Sequence, residues 1–536
     1  MHEFNLKMTK ITIVLTAISL FFVMLGGVTL LKNNYYAKAK YFEMQLDYLK
    51  DRFAFGEYSY GGLLGWAKSW PDKSASVQTD SATAQSIPIL LYHGVITTPN
   101  WKSDGTNISL NDFRDQMFAL KKAGYQSITL SQFLDFMQSG KSLPKKSVMI
   151  TFDDSRSDSY YPVDPILKVL DYNAVMFVIT GRSFGPVNSK NTFHLSEDEL
   201  QKMLASGRWE MASHTENGHG YVQVDAAGTQ DQGHLIGHFM SDKIWLPDQG
   251  RLETDAEFTQ RVSADLAASK KDLENNLGIK VLAFAYPFGD YGNDTQNFPG
   301  SKEILTNVTN SLFPLAFRQI GDNEFPANYP GKDFRLVKRI DVNEDMSPKQ
   351  LLFILDSGQE KQLPYAETFT ANNGWLTAWG NSELKNGLLL TRASETEDSS
   401  MTFLNGTFNW KNYTVSAEAR LLQGNSFAAV ARYIDGSHYV TCDFTSWGVA
   451  LSQSINGTET VISESNQSLE LNADQEMAVG IGVSGNTASC YIGTKAVATG
   501  NISATLSHGG IGFKTWGSTV NNSSLLVSNL KVVATQ

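Results

Sequence analysis

Hydrophobic positions between residues 87 and 358 follow two alternating patterns. Short apolar runs such as 87–92 (IPILLY) and 174–180 (AVMFVIT) are typical of buried strands. Between them lie segments whose apolar positions recur every three to four residues, which predicts amphipathic helices. Strand and helix alternate about seven times, so the sequence predicts a parallel α/β sheet. Over a length of about 270 residues, closure into a barrel is favoured over an open sheet.

The predicted elements follow one another closely, apart from one long polar loop after residue 214. The strands are expected at 87–92, 127–130, 147–154, 174–180, 209–214, 281–289 and 314–320. The helices are expected within 111–125, 131–140, 160–173, 196–207, 253–278, 301–313 and 347–358. Ser196 and Glu199 have the spacing of a capping box at the start of a helix. In such a barrel, chemistry lies where strands end and loops begin.

A different pattern begins near residue 368. Short segments of alternating polar and apolar residues, such as 413–421 (YTVSAEARL) and 427–434 (FAAVARYI), are separated by Gly, Asn and Ser. Such segments predict antiparallel strands. We therefore expect residues 366–536 to form an all-β sandwich of jelly-roll-like type.

The amino-terminal pattern is different again. Residues 11–31 (ITIVLTAISLFFVMLGGVTLL) carry no charge and are numerous enough to cross a bilayer as a helix. A cleaved secretory signal has a shorter apolar core, so an uncleaved anchor is favoured over that alternative. Lysines flank the run on both sides, and the positive-inside rule therefore does not decide its orientation. The expected order is a cytoplasmic tail at 1–10, a transmembrane anchor at 11–31, and a stalk and linker at 32–86.

Charge and cysteine content exclude several classes of function. The 536-residue chain has a formal net charge of -11 and no basic block, so we expect no nucleic-acid partner. The chain has two cysteines, Cys442 and Cys490, which is too few for zinc-finger or iron–sulfur sites. A disulfide between them in an oxidising compartment and two separate buried thiols both remain open.

Paired carboxylates and two histidines mark the ends of predicted strands. Asp153 and Asp154 end an apolar strand, and they can converge on one site if the chain turns there. His214 and His219 are five positions apart, which places them about 140° apart on a helix, so a shared metal requires a loop. Gly218 and Gly220 supply the freedom for that loop, and a structural role for the histidines is the alternative.

A second histidine pair, His234 and His238, has the spacing of four that suits one face of a helix. No carboxylate accompanies this pair within its motif, and it lies in the long polar loop. We therefore interpret these two histidines as surface or loop residues rather than as metal ligands.

Together with His93 at the end of the first strand, these residues resemble the polysaccharide deacetylase family, the NodB-homology carbohydrate esterases. The segment 151–154 (TFDD) matches the paired-aspartate motif of that family, and His214-Thr215 with His219 matches its histidine motif. The resemblance covers roughly residues 87–358. The five-residue histidine spacing and the early Tyr-His are similar to the branch that deacetylates poly-N-acetylglucosamine in biofilm matrices.

The resemblance implies a distorted (β/α)7 barrel at 87–360 and a role for each matched residue. Asp154, His214 and His219 would hold one divalent metal ion, expected to be Zn²⁺, with Co²⁺, Mn²⁺ or Fe²⁺ as alternatives. Asp153 would be the general base and His93 the general acid that protonates the leaving amine. The residues expected to shape the substrate groove are Tyr286, Pro287, Phe288 and Gly289.

The sequence departs from the family pattern at three motifs. Ala285 stands where the third motif has an arginine that orients the base, and Arg339 or Arg318 is expected to replace it. The late Leu-x-His motif is also missing, and His93 is its replacement. Ser155 stands where the paired aspartates are usually followed by glycine, which is a mild change.

Two functional classes follow from these patterns. The first is a single-pass cell-membrane enzyme, anchored through residues 11–31, with its catalytic domain outside the cell. Its expected substrate is an exopolysaccharide or cell-wall glycan with N-acetylhexosamine units, and polysaccharide-synthesis machinery is an expected partner. The second is a non-catalytic carbohydrate-binding surface protein on a degenerate barrel. The tryptophans of the sandwich serve either its core or stacking on sugars, and they are Trp375, Trp379, Trp410, Trp447 and Trp516.

Overall fold

The structure is a computed structural model, and it describes residues 83–98, 101–184, 193–331 and 335–535. The predicted tail and anchor, and the stalk and linker up to residue 82, lie outside the described residues. Among the residues that are described, no helix is both long and apolar enough to cross a membrane.

Seven parallel strands close into a barrel, which confirms the predicted architecture. In chain order they are β1 (Ile89–Tyr92), β2 (Ser147–Phe152), β3 (Ala174–Val178), β4 (Trp209–Ser213), β5 (Ala283–Ala285), β6 (Leu315–Gln319) and β7 (Leu336–Asp341). Their spatial order is β1-β7-β6-β5-β4-β3-β2, and β2 pairs with β1 to complete the ring. Leu90 pairs with Ile340 on one side of β1, and Ile89 pairs with Met149 on the other.

One barrel strand differs from the prediction. In place of the expected strand at 127–130, Gln126–Ser127 forms a two-residue pairing beside the start of β2. The seventh barrel strand is instead β7, which the hydrophobic pattern does not reveal. Its inward position 339 carries a charged arginine, so the run lacks the continuous apolar character of the other barrel strands.

Eight helices accompany the barrel strands in the described residues. They are α1 (Leu110–Lys122), α2 (Leu130–Ser139), α3 (Asp164–Leu170), α4 (Thr180–Ser183), α5 (Glu197–Ala205), α6 (Asp255–Leu277), α7 (Ser301–Leu312) and α8 (Pro348–Ser357). The capping box predicted at α5 is present: Glu199 Oε2 accepts a hydrogen bond from the Ser196 backbone N–H at 2.7 Å. Short 3₁₀ turns lie at Ser157–Ser159, Pro247–Gln249, Pro287–Gly289 and Ala504–Leu506.

The alternation of side chains along the barrel strands determines which residues reach the active end. Positions of one parity point inward and form a buried apolar cluster, which includes Ile89, Met149, Val175, Phe177, Ala212, Ala285, Phe317 and Val337. Several inward-facing positions nearer the carboxyl ends of these strands, two or four residues further along, are polar. They are His93, Asp153, His214, Arg339 and Asp341. The same periodicity that packs the barrel interior therefore directs these side chains toward one mouth.

Several short strand pairs lie outside the main sheet of the barrel. Between β4 and α6, Tyr221–Val222 pairs with Gly237–His238, Gln230–Asp231 with His234–Leu235, and Trp245–Leu246 with Arg251–Leu252. Val95–Ile96 pairs with Ile108–Ser109 after β1. The region predicted as a long loop is therefore a set of small antiparallel ladders.

Fifteen strands in the described part of the carboxyl-terminal region form a β-sandwich, as predicted. They are β8 (Tyr365–Glu367), β9 (Trp375–Trp379), β10 (Asn381–Lys385), β11 (Leu388–Arg392), β12 (Ser399–Leu404), β13 (Tyr413–Gln423), β14 (Ser426–Asp435), β15 (His438–Thr445), β16 (Gly448–Ile455), β17 (Thr458–Ser465), β18 (Met477–Ser484), β19 (Thr487–Ile492), β20 (Lys495–Asn501), β21 (Gly510–Trp516) and β22 (Ser524–Ala534). One sheet has the order β10-β11-β22-β13-β18-β19-β20, with β8 beside β22, and the other β9-β12-β21-β14-β15-β16-β17. Cys442 and Cys490 form a disulfide that joins the two sheets, which decides between the two alternatives left open by the sequence.

The barrel and the sandwich are in direct contact through the segment between β6 and β7. Phe325 of this segment is fully buried against Phe403 and Tyr433 of the sandwich, with ring centroids 5.1 and 6.0 Å away. The Tyr433 hydroxyl donates a hydrogen bond to the Asn323 carbonyl oxygen at 2.8 Å, and the Gly436 N–H donates to the same oxygen at 3.0 Å.

Candidate active site

The deepest charged pair of the barrel joins Asp153, directly after β2, to Arg339 of β7. Arg339 Nη1 donates to Asp153 Oδ1 at 2.6 Å, and Nη2 donates to Oδ2 at 2.8 Å. The two side chains are 0% and 2% exposed. Burial raises the pKa of Asp153, but the Arg339 guanidinium outweighs it, so the pKa of this carboxyl is lowered from its usual value. The geometry is the planar, two-bond arrangement that arginine forms with carboxylates.

Asp154 reaches the same mouth because the backbone turns at this point. On a regular strand its side chain would face away from Asp153. Asp154 and Ser155 instead adopt left-handed conformations, with φ of 73° and 51°. Such a conformation costs a residue other than glycine about 1–3 kcal/mol, and it persists where the surroundings enforce it. The turn that the sequence allowed is therefore present, and it brings both carboxylates to one site.

The loop from His214 to His219 is held by a carboxylate from α6. Thr215 has a left-handed φ of 77°, and the backbone N–H groups of Glu216 and Asn217 donate to Asp265 at 3.0 and 2.8 Å. Gly218 packs so closely that a Cβ atom there would lie 2.7 Å from Met240 Sδ and 3.2 Å from Asp265 Oδ2. The loop therefore folds back as the glycine and the spacing of five predicted. The structure adds Asp265, which the sequence pattern did not identify.

Asp154, His214 and His219 converge closely enough to hold one metal ion. One ligand atom from each residue lies within 4.8 Å of the others. His214 Nε2 is 3.5 Å from Asp154 Oδ1, and His219 Nε2 is 3.2 Å from the same oxygen. Two imidazole nitrogens and one carboxylate oxygen are a common donor set for Zn²⁺ and for other divalent first-row metals.

The hydrogen bonding of these three residues fits a metal. His214 Nδ1–H donates to the Ala285 carbonyl oxygen at 2.8 Å, so the lone pair of Nε2 is left for the cluster. Among the described residues, no N–H or O–H group points at the buried Asp154 Oδ1 with hydrogen-bond geometry. Burial and the neighbouring His214 lower the pKa of His219 to about 4, which keeps its imidazole neutral, as a metal ligand must be.

His93 lies beside the carboxylates, at the end of β1. Its electrostatic effect lowers the pKa of Asp153, Asp154 and Asp341, so it is a neighbour of all three. His93 Nδ1 and Asp341 Oδ1 are buried, and neither has a hydrogen-bond partner among the described residues. Burial raises the pKa of Asp341, in opposition to His93 and Arg339. Asp341 was missed from the sequence because the strand that carries it was missed.

Comparisons with known proteins match this barrel. A family model described as polysaccharide deacetylase matches residues 140–301. A poly-β-1,6-N-acetyl-D-glucosamine N-deacetylase of Escherichia coli (strain K12) is 26% identical over 193 residues, which are 34% of this chain and 28% of that protein. The enzyme of the same name from Staphylococcus aureus (strain MRSA252) is 30% identical over 188 residues, which are 35% of this chain and 56% of that protein. Residues 140–301 of this barrel therefore resemble the polysaccharide deacetylase family.

The matches are partial. The chain spans less than two thirds of the length of either relative, at 28% and 56%. A solved structure of a de-N-acetylase from Aggregatibacter actinomycetemcomitans covers 50% of this chain and 99% of its own, with 24% identity and a TM-score of 0.42.

Two arginines were expected to replace the family arginine, and only Arg339 contacts Asp153. Arg318 instead pairs with Glu324 at 2.5 Å. Glu324 forms a β-bridge with Asp435 of the sandwich, so this pair lies near the contact between the barrel and the sandwich. Ala285, at the expected arginine position, faces the barrel interior, and its carbonyl oxygen accepts the His214 hydrogen bond. The replacement arginine therefore comes from a different strand, two strands away in the ring.

The four residues predicted to shape a substrate groove differ in their exposure. Tyr286 is 1% exposed, and its hydroxyl pairs with Thr309 Oγ1 of α7 at 2.7 Å, so its side chain lies behind the barrel rather than in a groove. Pro287 is also buried, whereas Phe288 and Gly289 are half-buried. The Phe288 ring lies 4.6 Å from the His219 ring, at the edge of the metal cluster.

The second histidine pair does not form a metal cluster. His238 Nδ1 is 2.7 Å from Asp290 Oδ2, and His234 is an exposed residue whose ring lies 5.6 Å from that of Tyr221. Within the described ranges, the group of residues able to hold a metal is Asp154, His214 and His219. His234 and His238 lie in two-residue strands rather than in an open loop, and the interpretation that they are not metal ligands stays a prediction.

The tryptophans of the sandwich are also of two kinds. Trp375 and Trp410 are 3% and 5% exposed and belong to the hydrophobic core of the sandwich, which was one of the two predicted roles. Trp447 is 71% exposed, and Trp379 and Trp516 are half-buried. A carbohydrate-binding role for the sandwich stays a prediction.

Proposed function

We propose that this protein hydrolyses the N-acetyl groups of a polysaccharide of the poly-N-acetylglucosamine type. The observation that carries the proposal is the convergence, at one mouth of the barrel, of an arginine-held carboxylate, a metal-binding triad and a histidine. The similarity to enzymes named as poly-β-1,6-N-acetyl-D-glucosamine N-deacetylases supports this substrate class.

The metal would be held by Asp154, His214 and His219, and we propose Zn²⁺. When bound, such an ion polarises a carbonyl oxygen and makes water a stronger acid. Each ligand is presented by the fold independently of the ion. Asp154 is turned inward by its left-handed backbone, His214 is oriented by Ala285, and His219 is brought back by the loop that Asp265 holds.

Asp153 is the proposed general base. It lies next to the triad, with its Oδ2 atom 3.8 Å from His214 Nε2, and its ion pair with Arg339 keeps it charged and fixed in position. A charged carboxylate at this point can accept a proton from a water molecule that attacks the acetyl carbonyl carbon. Arg339 is a positioning residue, since it reaches the reaction through Asp153.

His93 is the proposed general acid. Cleavage of an amide requires a proton on the departing nitrogen, and an imidazole is suited to deliver it near neutral pH. Asp341 is a buried carboxyl group close enough to His93 for the two side chains to interact electrostatically. At the opposite edge, Phe288 N–H is the candidate donor to the developing oxyanion, because Tyr286 N–H and Gly289 N–H already donate to carbonyl oxygens.

The cellular setting is part of the same proposal. An anchor at residues 11–31 would hold the enzyme on the outer side of the cell membrane, next to polysaccharide-synthesis machinery. The Cys442–Cys490 disulfide supports an oxidising compartment for the folded part.

Acetate release from a β-1,6-linked N-acetylglucosamine pentamer, with the metal-loaded full chain, tests the proposed activity. We expect release from the wild-type protein and loss of release after removal of the metal by a chelator, restored by Zn²⁺. A folded, metal-loaded protein that releases no acetate from this pentamer would contradict the proposal and favour a non-catalytic carbohydrate-binding role.

A further inference from the structure

A row of four aromatic rings leads from the metal triad to the surface, and we call Phe288, His238, Tyr221 and His234 the aromatic row. It begins at Phe288, 4.6 Å from the ring of the triad member His219. His238 stacks on Phe288 at 4.5 Å with an interplanar angle of 18°. Tyr221 lies 5.0 Å from Phe288 and 5.6 Å from His238, and His234 lies 5.6 Å beyond Tyr221.

The inner part of the row is held rigidly. Phe288 has a left-handed φ of 59°, which a bulky residue adopts only where its surroundings enforce it. The following Gly289 packs so tightly that a Cβ atom there would lie 2.9 Å from Gln319 Cβ.

His238 is fixed from two sides. Its Nδ1–H donates to Asp290 Oδ2 and its backbone N–H donates to Asp242 Oδ2, each at 2.7 Å. Asp290 and Asp242 are 3% and 0% exposed, so the carboxylates that hold the imidazole are themselves fixed in the interior.

The outer part of the row is open. Tyr221 is 46% exposed, although it belongs to a two-residue strand that pairs with Gly237–His238. His234 is also exposed. A tyrosine held in place by strand pairing and left accessible on one face is suited to bind a ligand that is apolar on its faces and polar at its edges.

We propose that the aromatic row is a subsite for the sugar unit next to the one that is deacetylated. This inference rests on the proposed function, since it takes the metal triad as the point of reaction. Pyranose rings present C–H bonds on their faces and hydroxyl groups at their edges, and they pack face-on against aromatic rings. A chain with one unit at Asp153 and His93 therefore has its neighbour against the open ring of Tyr221, which lies 5.0 Å from Phe288, and the enzyme prefers oligomers over single sugars.

The test separates the row from the catalytic groups by substrate length. Tyr221→Ala is compared with wild-type protein on the N-acetylglucosamine pentamer and on p-nitrophenyl acetate, a small ester that carries no sugar. We expect KM for the pentamer to rise about fivefold to tenfold, the scale of one lost aromatic contact, with kcat nearly unchanged. Ester hydrolysis should stay at the wild-type rate.

Two control variants complete the design. Tyr221→Phe keeps the ring and should keep the wild-type KM, whereas Val169→Ala truncates another surface side chain of 46% exposure and should change nothing. An unchanged KM in Tyr221→Ala, or an equal loss with pentamer and ester, would overturn the subsite.

Failure of the subsite and failure of the proposed function give different results. Pentamer binding to Asp153→Asn protein is measured by calorimetry, with and without Tyr221→Ala, and requires no turnover. Binding that weakens with Tyr221→Ala supports the subsite even if the wild-type protein releases no acetate. Binding that is insensitive to Tyr221 contradicts it whether or not acetate is released.

Discussion

Arg339 and Asp153 form a two-bond ion pair that is closed off from solvent, with N–O distances of 2.6 and 2.8 Å. The arginine comes from β7, whereas the sequence position that corresponds to the family arginine holds Ala285 on β5. Arg339 therefore supplies the positive charge that holds Asp153, although it lies on a different strand from Ala285.

Replacement of Arg339 by methionine should damage both stability and activity. Asp153 would then be a buried charge without a partner, which costs about 3–5 kcal/mol in the free energy of unfolding. We expect acetate release to fall at least a hundredfold, and urea denaturation to show the loss of stability. Arg318→Met breaks a different buried pair, so it should lower stability but leave kcat of the folded protein unchanged. Equal effects of the two variants on kcat would contradict the role of Arg339.

These two arginines show which part of the site could be predicted from the sequence and which part could not. Strand ends and motif order placed Asp153, Asp154, His93 and the two histidines near one mouth, because parallel strands of a closed barrel share one direction. The choice between Arg339 and Arg318 required the fold. Both lie on barrel strands, and only ring order and side-chain parity bring one of them to Asp153.

Two further residues of the site, Asp341 and Asp265, could not be predicted from the sequence pattern. Asp341 belongs to a strand in which two of the inward positions, 339 and 341, are charged, so its hydrophobic signal is weak. Asp265 lies on α6, far along the chain from the loop it holds, and acts through backbone N–H groups that carry no sequence signature. The carboxyl-terminal sandwich was predictable because its strands alternate cleanly between apolar and polar residues.

Gly218→Ala should weaken metal binding. The new Cβ atom would lie 2.7 Å from Met240 Sδ and 3.1 Å from Phe239, so the loop must shift and carry His219 with it. We expect metal affinity to fall by about tenfold or more, as measured by competition with a chromogenic chelator. Gly220→Ala is the matched control, since a Cβ atom there meets nothing within 4 Å. If both variants bind metal as the wild type does, the loop is not the device that positions His219.

Asp154→Ala should lose metal and activity together, because it removes the carboxylate ligand of the triad. His238→Ala should keep its full metal content, since His238 pairs with Asp290 outside the triad. Metal content per protein, measured by mass spectrometry after dialysis, distinguishes the two. Loss of metal in His238→Ala would overturn the assignment of the triad.

Stability at acid pH should depend on Glu324 at the contact between barrel and sandwich. Burial raises its pKa, but Arg318 and Lys338 outweigh this, so its folded pKa lies below the ordinary value of 4.5. A carboxyl group with a depressed folded pKa contributes stability above its unfolded pKa and loses it as pH falls through the folded pKa. Wild-type stability should therefore decline as the pH drops below about 4.5.

Glu324→Gln removes this titration. The variant should be less stable than wild type at pH 7, because Arg318 loses its charged partner, and its stability should change less between pH 5 and pH 3. Urea denaturation across that pH range measures both effects. A variant whose stability falls with the same slope as the wild type would show that Glu324 is not responsible for the acid sensitivity.

The most direct test of the account is one paired measurement on Asp153→Asn, of bound metal and of acetate released from the N-acetylglucosamine pentamer. We expect wild-type metal content, because Asp153 lies outside the triad, and a turnover about 10²–10⁴ times lower, the contribution expected of a general base. An Asp153→Asn protein that binds metal and releases acetate at the wild-type rate would contradict it.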